Sequence, residues 1–245
     1  MKQVVLALAF STFALTTAAA PAQLSEKLTL GWIVDRSNGC RMWNPAPQPN
    51  ETITWSGPCP GGIATGRGVL QWYEDGKPRN RYDGAVRDGK YDGWGVAVYT
   101  NGDRYEGDFV DGKLTGRGTY AWANGDRYEG DFVDGKLHGR GTLRDKYSTY
   151  DGEWRDNIEH GKGVLVWASG AHYDGDWVDG QRIGQGTYVW ADGAHYIGHY
   201  NDSRPDGFGG YFTADRKKYS GIWSDGCFRD GDKRAAIGRD LDTCP

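Results

Sequence analysis

After its first fifteen residues the chain has no apolar run long enough to cross a bilayer as a helix. It is also short of aliphatic side chains. Only 38% of its 245 residues are hydrophobic and two are methionine, which excludes an ordinary two-layer globule built around Leu, Ile and Val. No CxxC pair occurs and no histidine neighbours a cysteine, so the residues for a zinc site are missing. Neither sign of charge dominates: 29 Lys+Arg against 33 Asp+Glu leave a net charge of −4. Bases and acids are interleaved, which argues against nucleic acid as a partner and against strong attraction to anionic lipid. No Ser/His/Asp nucleophile arrangement stands out. Gly116-Arg117-Gly118 is no phosphate loop, because no helix follows it. The Asp-Gly pairs lack the ligand spacing and final Glu of a calcium loop. No catalytic residue, metal or cofactor is therefore expected, and the chain reads as a non-enzyme.

What the chain has instead is 39 Gly, 11 Trp and 15 Tyr, the composition of many short strands joined by tight turns. The glycines fall at fixed spacing. Asn101 to Leu114 reads NGDRYEGDFVDGKL, and Asn124 to Leu137 repeats it 23 residues later. A period in the twenties means stacked copies of one small unit. Tyr82, Tyr105, Tyr128, Tyr150, Tyr173, Tyr196 and Tyr219 each open a copy, two residues before a glycine, and Trp55 opens a more divergent one. The copy at Tyr128 is one residue short, the first copy carries an insertion near Gly76 to Asn80, and the copies at Tyr196 and Tyr219 have drifted furthest.

The two ends differ from this array. Residues 1–22 have the form of a signal peptide: Lys2, an apolar run from Val4 to Leu15, and Ala20-Pro21-Ala22 as a small-x-small site cut after Ala22. Export, periplasmic or secreted, makes two disulfides the natural use of Cys40, Cys59, Cys227 and Cys244. Three pairings exist; Cys40–Cys59 and Cys227–Cys244 are chosen because each pair sits at one end of the array, where a solenoid needs covering. Residues 23–54 form an N-terminal cap, with a hairpin of Leu28 to Val34 and Cys40 to Trp43 followed by the stiff NPAPQPN connector. The repeat array covers 55–223 and a C-terminal cap covers 224–245.

Within a copy, Tyr105 to Val110 alternates aromatic or Gly with charged residues, and Gly116 to Trp122 alternates again, the pattern of two half-covered strands. Asp111-Gly112 and Asn124-Gly125 are turn signals. A four-residue loop, Asp111 to Leu114, places Tyr105 opposite Tyr120, Gly107 opposite Gly118, Asp108 opposite Arg117 and Phe109 opposite Gly116. A three-residue loop, Ala123 to Gly125, joins copies and places Arg117 opposite Asp131. Acid then meets base both within and between hairpins. The predicted fold is all-β, an elongated single-sheet solenoid of stacked antiparallel hairpins. One face is ionic. The other is aromatic, crossed by a glycine ribbon, and supplies the candidate partner-binding residues: Tyr105, Phe109, Tyr120 and Trp122; Tyr128 and Phe132; Trp154 and Trp167; Tyr173, Trp177, Tyr188 and Trp190. His172 and His195 hold the same place in adjacent copies, where others carry Arg, and lack the further ligands a metal needs.

The Tyr-Glu-Gly and Gly-x-Gly elements, Tyr105-Glu106-Gly107 with Gly116-Arg117-Gly118 and Tyr128-Glu129-Gly130 with Gly139-Arg140-Gly141, resemble the MORN (membrane occupation and recognition nexus) repeat over about Trp55 to Trp223. The resemblance implies stacked hairpins and a scaffolding, membrane-associated or partner-binding role, often with self-association through one end. It implies no chemistry. The expectation is a non-catalytic exported scaffold that binds an unidentified protein or pairs with itself. A membrane surface, contacted weakly, is one setting for such a scaffold; the alternative function is a cell-envelope glycan-binding module that uses the aromatic face.

Overall fold

A computed structural model describes residues 31–244 of the chain. The expected signal peptide and the start of the first expected strand, Leu28 to Leu30, lie outside the described residues. The rest divides into two compact units, one ending at residue 123 and the other beginning at residue 124. Among the described residues all regular structure is β apart from two single 3-10 turns, Pro60–Gly62 and Leu241–Thr243.

In the first unit β1 (Trp32–Val34) and β2 (Arg41–Trp43) form a small hairpin of their own. An antiparallel meander follows: β3 (Glu51–Trp55), β4 (Gly66–Glu74), β5 (Lys77–Arg87), β6 (Lys90–Val98), β7 (Arg104–Val110) and β8 (Lys113–Ala121). The second unit is also an open meander. It comprises β9 (Arg127–Val133), β10 (Lys136–Arg144), β11 (Ser148–Arg155), β12 (Ile158–Trp167), β13 (His172–Val178) and β14 (Gln181–Val189). It continues through β15 (His195–Asn201), β16 (Arg204–Phe212) and β17 (Lys218–Ser224), and ends in β18 (Cys227–Asp230) and β19 (Lys233–Ala236). The first-copy insertion lengthens the β4–β5 hairpin rather than its loop, which remains Asp75-Gly76.

The register between hairpin strands is as expected far from the turn and different near it. Tyr105 pairs with Tyr120 and Gly107 with Gly118. The loop, however, has two residues and not four: Val110 pairs with Lys113, Phe109 with Leu114, and Asp108 with Thr115 instead of Arg117. Asp111 (φ 49°) and Gly112 (φ 83°) both take left-handed conformations, the arrangement of a tight turn whose twist suits the flanking strands. A bulge at Gly116-Arg117 restores the outer register. The acid of each hairpin therefore has another role. Arg140 N–H donates to Asp131 Oδ2 at 3.0 Å, Lys162 N–H to Glu153 Oε1 at 3.0 Å, and Gln185 N–H to Asp176 Oδ2 at 3.1 Å. Each carboxylate caps an amide that the bulge has released from the ladder. Between copies the acid–base pairing holds: Arg140 opposes Glu153, and Lys162 opposes Asp176 with a 2.5 Å ion pair. The three-residue loop also recurs, as Thr100 to Gly102, where Tyr99 N–H donates to Asp103 O and Gly102 N–H to Tyr99 O, both at 2.9 Å.

The core is made by laying a ring flat on the sheet. A Cβ on Gly118 would stand 2.7 Å from Cζ of Tyr105, and one on Gly107 would stand 2.5 Å from its hydroxyl. The paired glycines leave a trough that the tyrosine fills, and its hydroxyl donates to Asp108 O at 3.0 Å. The same bond to the carbonyl three residues on is made by Tyr82, Tyr128, Tyr150, Tyr173 and Tyr196, at 2.7–3.2 Å. In the divergent first copy Trp55 covers Gly57 and Gly68, and its Nε1 donates to Pro58 O at 3.0 Å. After Tyr105, Tyr128, Tyr150, Tyr173 and Tyr196 the side chain four residues on then stands edge-on against the rings. Phe109 meets Tyr82 and Tyr105 at 5.3 and 5.0 Å. In the second unit the chain of edge-on contacts is unbroken from Phe132 through Tyr128, Trp154, Tyr150, Trp177, Tyr173, Tyr200 and Tyr196 to Trp223. Each such pair contributes about 0.5–1.5 kcal/mol beyond burial.

Both ends are closed as expected, by Cys40–Cys59 and Cys227–Cys244. At the first strand, Asp35 Oδ2 accepts Trp55 N–H at 2.8 Å and Asn38 Nδ2 donates to Trp55 O at 3.2 Å, so side chains terminate the β3 edge. Burial pushes the Asp35 carboxyl up, but the Ser37 hydroxyl and the Trp55 and Ser37 amides outweigh it and hold the group below the usual range.

Two outcomes follow for unfolding experiments. Gly118→Ala should destabilise by more than about 2 kcal/mol, because the ring has nowhere to move. Gly125→Ala, at φ 93° with open space around it, should cost about 1 kcal/mol; equal losses in urea titration would refute the ring-on-glycine account. Replacing Cys227 and Cys244 by Ala, which opens a loop of separation 17, should cost about 3 kcal/mol, read as a lowered urea midpoint.

Candidate functional site

The ring-bearing face is not uniform. Tyr105, Phe109, Tyr120, Tyr128, Phe132, Trp154, Tyr173 and Trp177 are buried. Their polar atoms are used inside the sheet: Trp154 Nε1 donates to Gly141 O at 2.9 Å, Trp177 Nε1 to Gly163 O at 3.1 Å, and Tyr120 Oη to Asp103 Oδ2 at 2.8 Å. Trp122, Trp167, Tyr188 and Trp190 are half-buried. They come from the outer ends of the second strands, where less of a neighbouring copy covers them.

In the second unit these outer rings touch in series. Trp167 lies 5.3 Å from Tyr188, Tyr188 4.6 Å from Trp190, Trp190 5.4 Å from Tyr211, and Tyr211 6.1 Å from Tyr219. In the first unit the half-buried Tyr99 and Trp122 stand on either side of the buried Tyr120, at 6.3 and 4.7 Å. The candidate surface is thus a row of half-exposed rings backed by a fully packed row. Tyr99, Tyr211 and Tyr219 belong to it but were not among the residues expected from sequence; their positions in the copies match Trp122, Tyr120 and the opening tyrosine.

Two charged residues interrupt the ring-bearing face. Nine residues after the opening tyrosine stand buried Leu114 and Leu137 in two copies, but Glu159 and Arg182 in the next two. Burial pushes the Glu159 carboxyl above its usual range. Arg182 places its guanidinium 5.5, 5.4 and 5.6 Å from the ring centres of Tyr173, Tyr188 and Tyr200.

The opposite face carries the ion pairs, and it changes along the second unit. The paired row reads Arg140–Glu153, Lys162–Asp176, Gln185–His199, then Phe208–Ile222; the last two are 65% and 68% exposed. His172 and His195 both oppose Val189, on either side of β14, and His195 stacks on Phe212 at 4.7 Å. Among the described residues no three potential metal ligands come together.

A scan against protein-family models matches the MORN repeat at residues 82–104, 105–127, 128–146, 150–172, 173–195 and 196–216. The chain belongs to the MORN repeat family. The matched MORN segments begin at the tyrosines that lie on the glycine ribbon, and the drifted copy at Tyr196 is one of them. A search of the curated proteins finds no match to this chain. MORN repeats build scaffolds, often for protein or membrane interaction, and are in general a non-enzymatic repeat type.

Glu159 provides a test of this face. Its raised pKa means that the folded state favours the neutral acid, so this contribution is full below the unfolded value near 4.5 and is lost as pH rises through the folded value. Glu159→Leu, the residue type of Leu114 and Leu137, should stabilise the chain at pH 7 by about 1 kcal/mol. The gain should shrink below pH 4.5, as read from thermal midpoints across pH.

Proposed function

We propose that this MORN protein is an exported, non-catalytic scaffold that binds a protein partner through the half-exposed ring row, or pairs with a second copy through it. The observation that carries the reading is the division of one face into two ring rows. The inner row is consumed by packing. The outer row, Trp167, Tyr188, Trp190 and Tyr211 in the second unit, keeps part of its aromatic surface in solvent, where Trp and Tyr are the side chains most often used as binding anchors. Export to the periplasm or beyond is supported by the two disulfides, which persist in oxidising compartments.

The tilt between neighbouring outer rings favours a protein over a glycan. Trp167–Tyr188, Tyr188–Trp190 and Trp190–Tyr211 meet at 42°, 53° and 67°, so they do not form the flat platform on which successive sugar rings stack.

Recovery of partners from the native host on immobilised chain tests the reading, with light scattering after size exclusion for self-pairing. Trp122→Ala and Trp190→Ala should each reduce recovery or dissociate the oligomer by about tenfold, while Arg140→Ala on the ionic face leaves both unchanged. Undiminished recovery with both Trp variants, in a chain that is monomeric throughout, refutes it.

A further inference from the structure

We propose that Arg182 and Tyr200 form a carboxylate-binding notch beside the ring row, which grips an Asp or Glu side chain of the protein partner. The inference rests on the protein-binding reading of that row and adds the chemistry of what it recognises.

Two polar groups at this point lack what similar groups elsewhere in the second unit have. Arg155 and Arg204 pair with Asp179 and Asp225 at 2.7 and 2.6 Å. Arg182 is half-buried, and among the described residues no carboxylate pairs with it. Its Nη2 donates to Ser203 O at 2.8 Å, and three tyrosine rings surround the guanidinium. Rings favour a cation but do not neutralise it, and a guanidinium has five N–H donors arranged to take a carboxylate in two-point fashion.

The second group is the Tyr200 hydroxyl. Tyr200 is 4% exposed and its Oη has no hydrogen-bond partner. At the equivalent places Trp154, Trp177 and Trp223 donate to a glycine carbonyl, and Phe109 and Phe132 have no polar atom to satisfy. A buried unpaired hydroxyl costs free energy that an incoming acceptor would recover. A carboxylate seated against Arg182 supplies both the missing counter-charge and that acceptor.

The two residues come from successive copies, and each replaces an apolar residue elsewhere: Arg182 stands where Leu114 and Leu137 do, Tyr200 where Phe109 and Phe132 do. The variants Arg182→Leu and Tyr200→Phe therefore restore side chains that the fold already accommodates at these positions.

The test probes an array of twelve-residue peptides, a matched array with Asp and Glu changed to Asn and Gln, and an acidic-glycan array, using the disulfide-bonded full chain. The proposal expects retained peptides to be enriched in Asp or Glu and lost from the amide-matched array. Arg182→Leu should weaken them by about tenfold or more and Tyr200→Phe by about threefold, with thermal midpoints no lower than the parent's. Peptide binding that Trp190→Ala abolishes and Arg182→Leu leaves intact overturns the notch while the ring row stands. Retention of acidic glycans alone overturns the protein assignment. Binding to no array overturns both.

Discussion

The structure depends on a tyrosine ring lying across two paired glycines with its hydroxyl bonded to the carbonyl three residues on. A single sheet has no second layer against which to bury a face. Removing both Cβ atoms from one cross-strand pair lets the ring sit at the depth of the backbone, so that the sheet itself becomes half of the core. Once the ring is flat, the residue four positions later can meet it edge-on, and that residue also meets the tyrosine of the preceding copy. The interaction is geometric more than chemical, as Trp55 shows by filling the same trough and donating its Nε1 to the same carbonyl position. Glycine within a strand normally weakens it; here the lost strand propensity is offset by ring burial that no larger residue would permit.

Much of this was legible in the residues, for physical reasons that can be named. The two-residue alternation divides side chains between faces whatever the loop length. Gly107 meets Gly118 whether the turn is four residues without a bulge or two residues with one, since the bulge inserts the pair that the shorter loop omits. That degeneracy is why the outer register could be read and the inner one could not. Two features decided against the longer loop. Asp111 accepts a left-handed conformation that the pattern alone treats as a glycine privilege, and Asp108-type acids are more use to an orphaned amide than to a distant base. Acid opposite base was a sound guide only between copies, where no bulge intervenes.

The binding face was harder to read, because in a one-layer sheet burial is set by the neighbouring copy and not by the residue. Trp177 and Trp190 are the same side chain thirteen positions apart on one face. One stands edge-on between Tyr150 and Tyr173 with its Nε1 satisfied by Gly163 O, and the other sits at the outer end of its strand with part of its ring uncovered. Composition and periodicity assign both to the aromatic side and stop there. Arg182 and Glu159 carry a stronger signal, since aligning the copies sets them against Leu114 and Leu137. Yet what Arg182 does depends on Tyr200, which belongs to the following copy, and no single copy contains the pair.

This suggests how such an array acquires specificity. Each copy is held by its own ring-on-glycine contact and by edge contacts to the copies beside it, so stability is distributed as nearest-neighbour terms. A position outside those contacts can change without unseating the stack. The departures in the second unit fall at such positions: Glu159 and Arg182 on the ring-bearing face, and His199, Phe208 and Ile222 on the ionic one. In the copies opened by Tyr150, Tyr173 and Tyr196 the tyrosine still lies over its glycines, with Tyr196 bonded to His199 O as Tyr105 is to Asp108 O. The bond is to a backbone carbonyl, so it is indifferent to the side chain that residue carries. Conserving the contact through main-chain atoms is what frees the side chains on either face to diverge, and a repeat that looks decayed by its residues remains sound by its geometry.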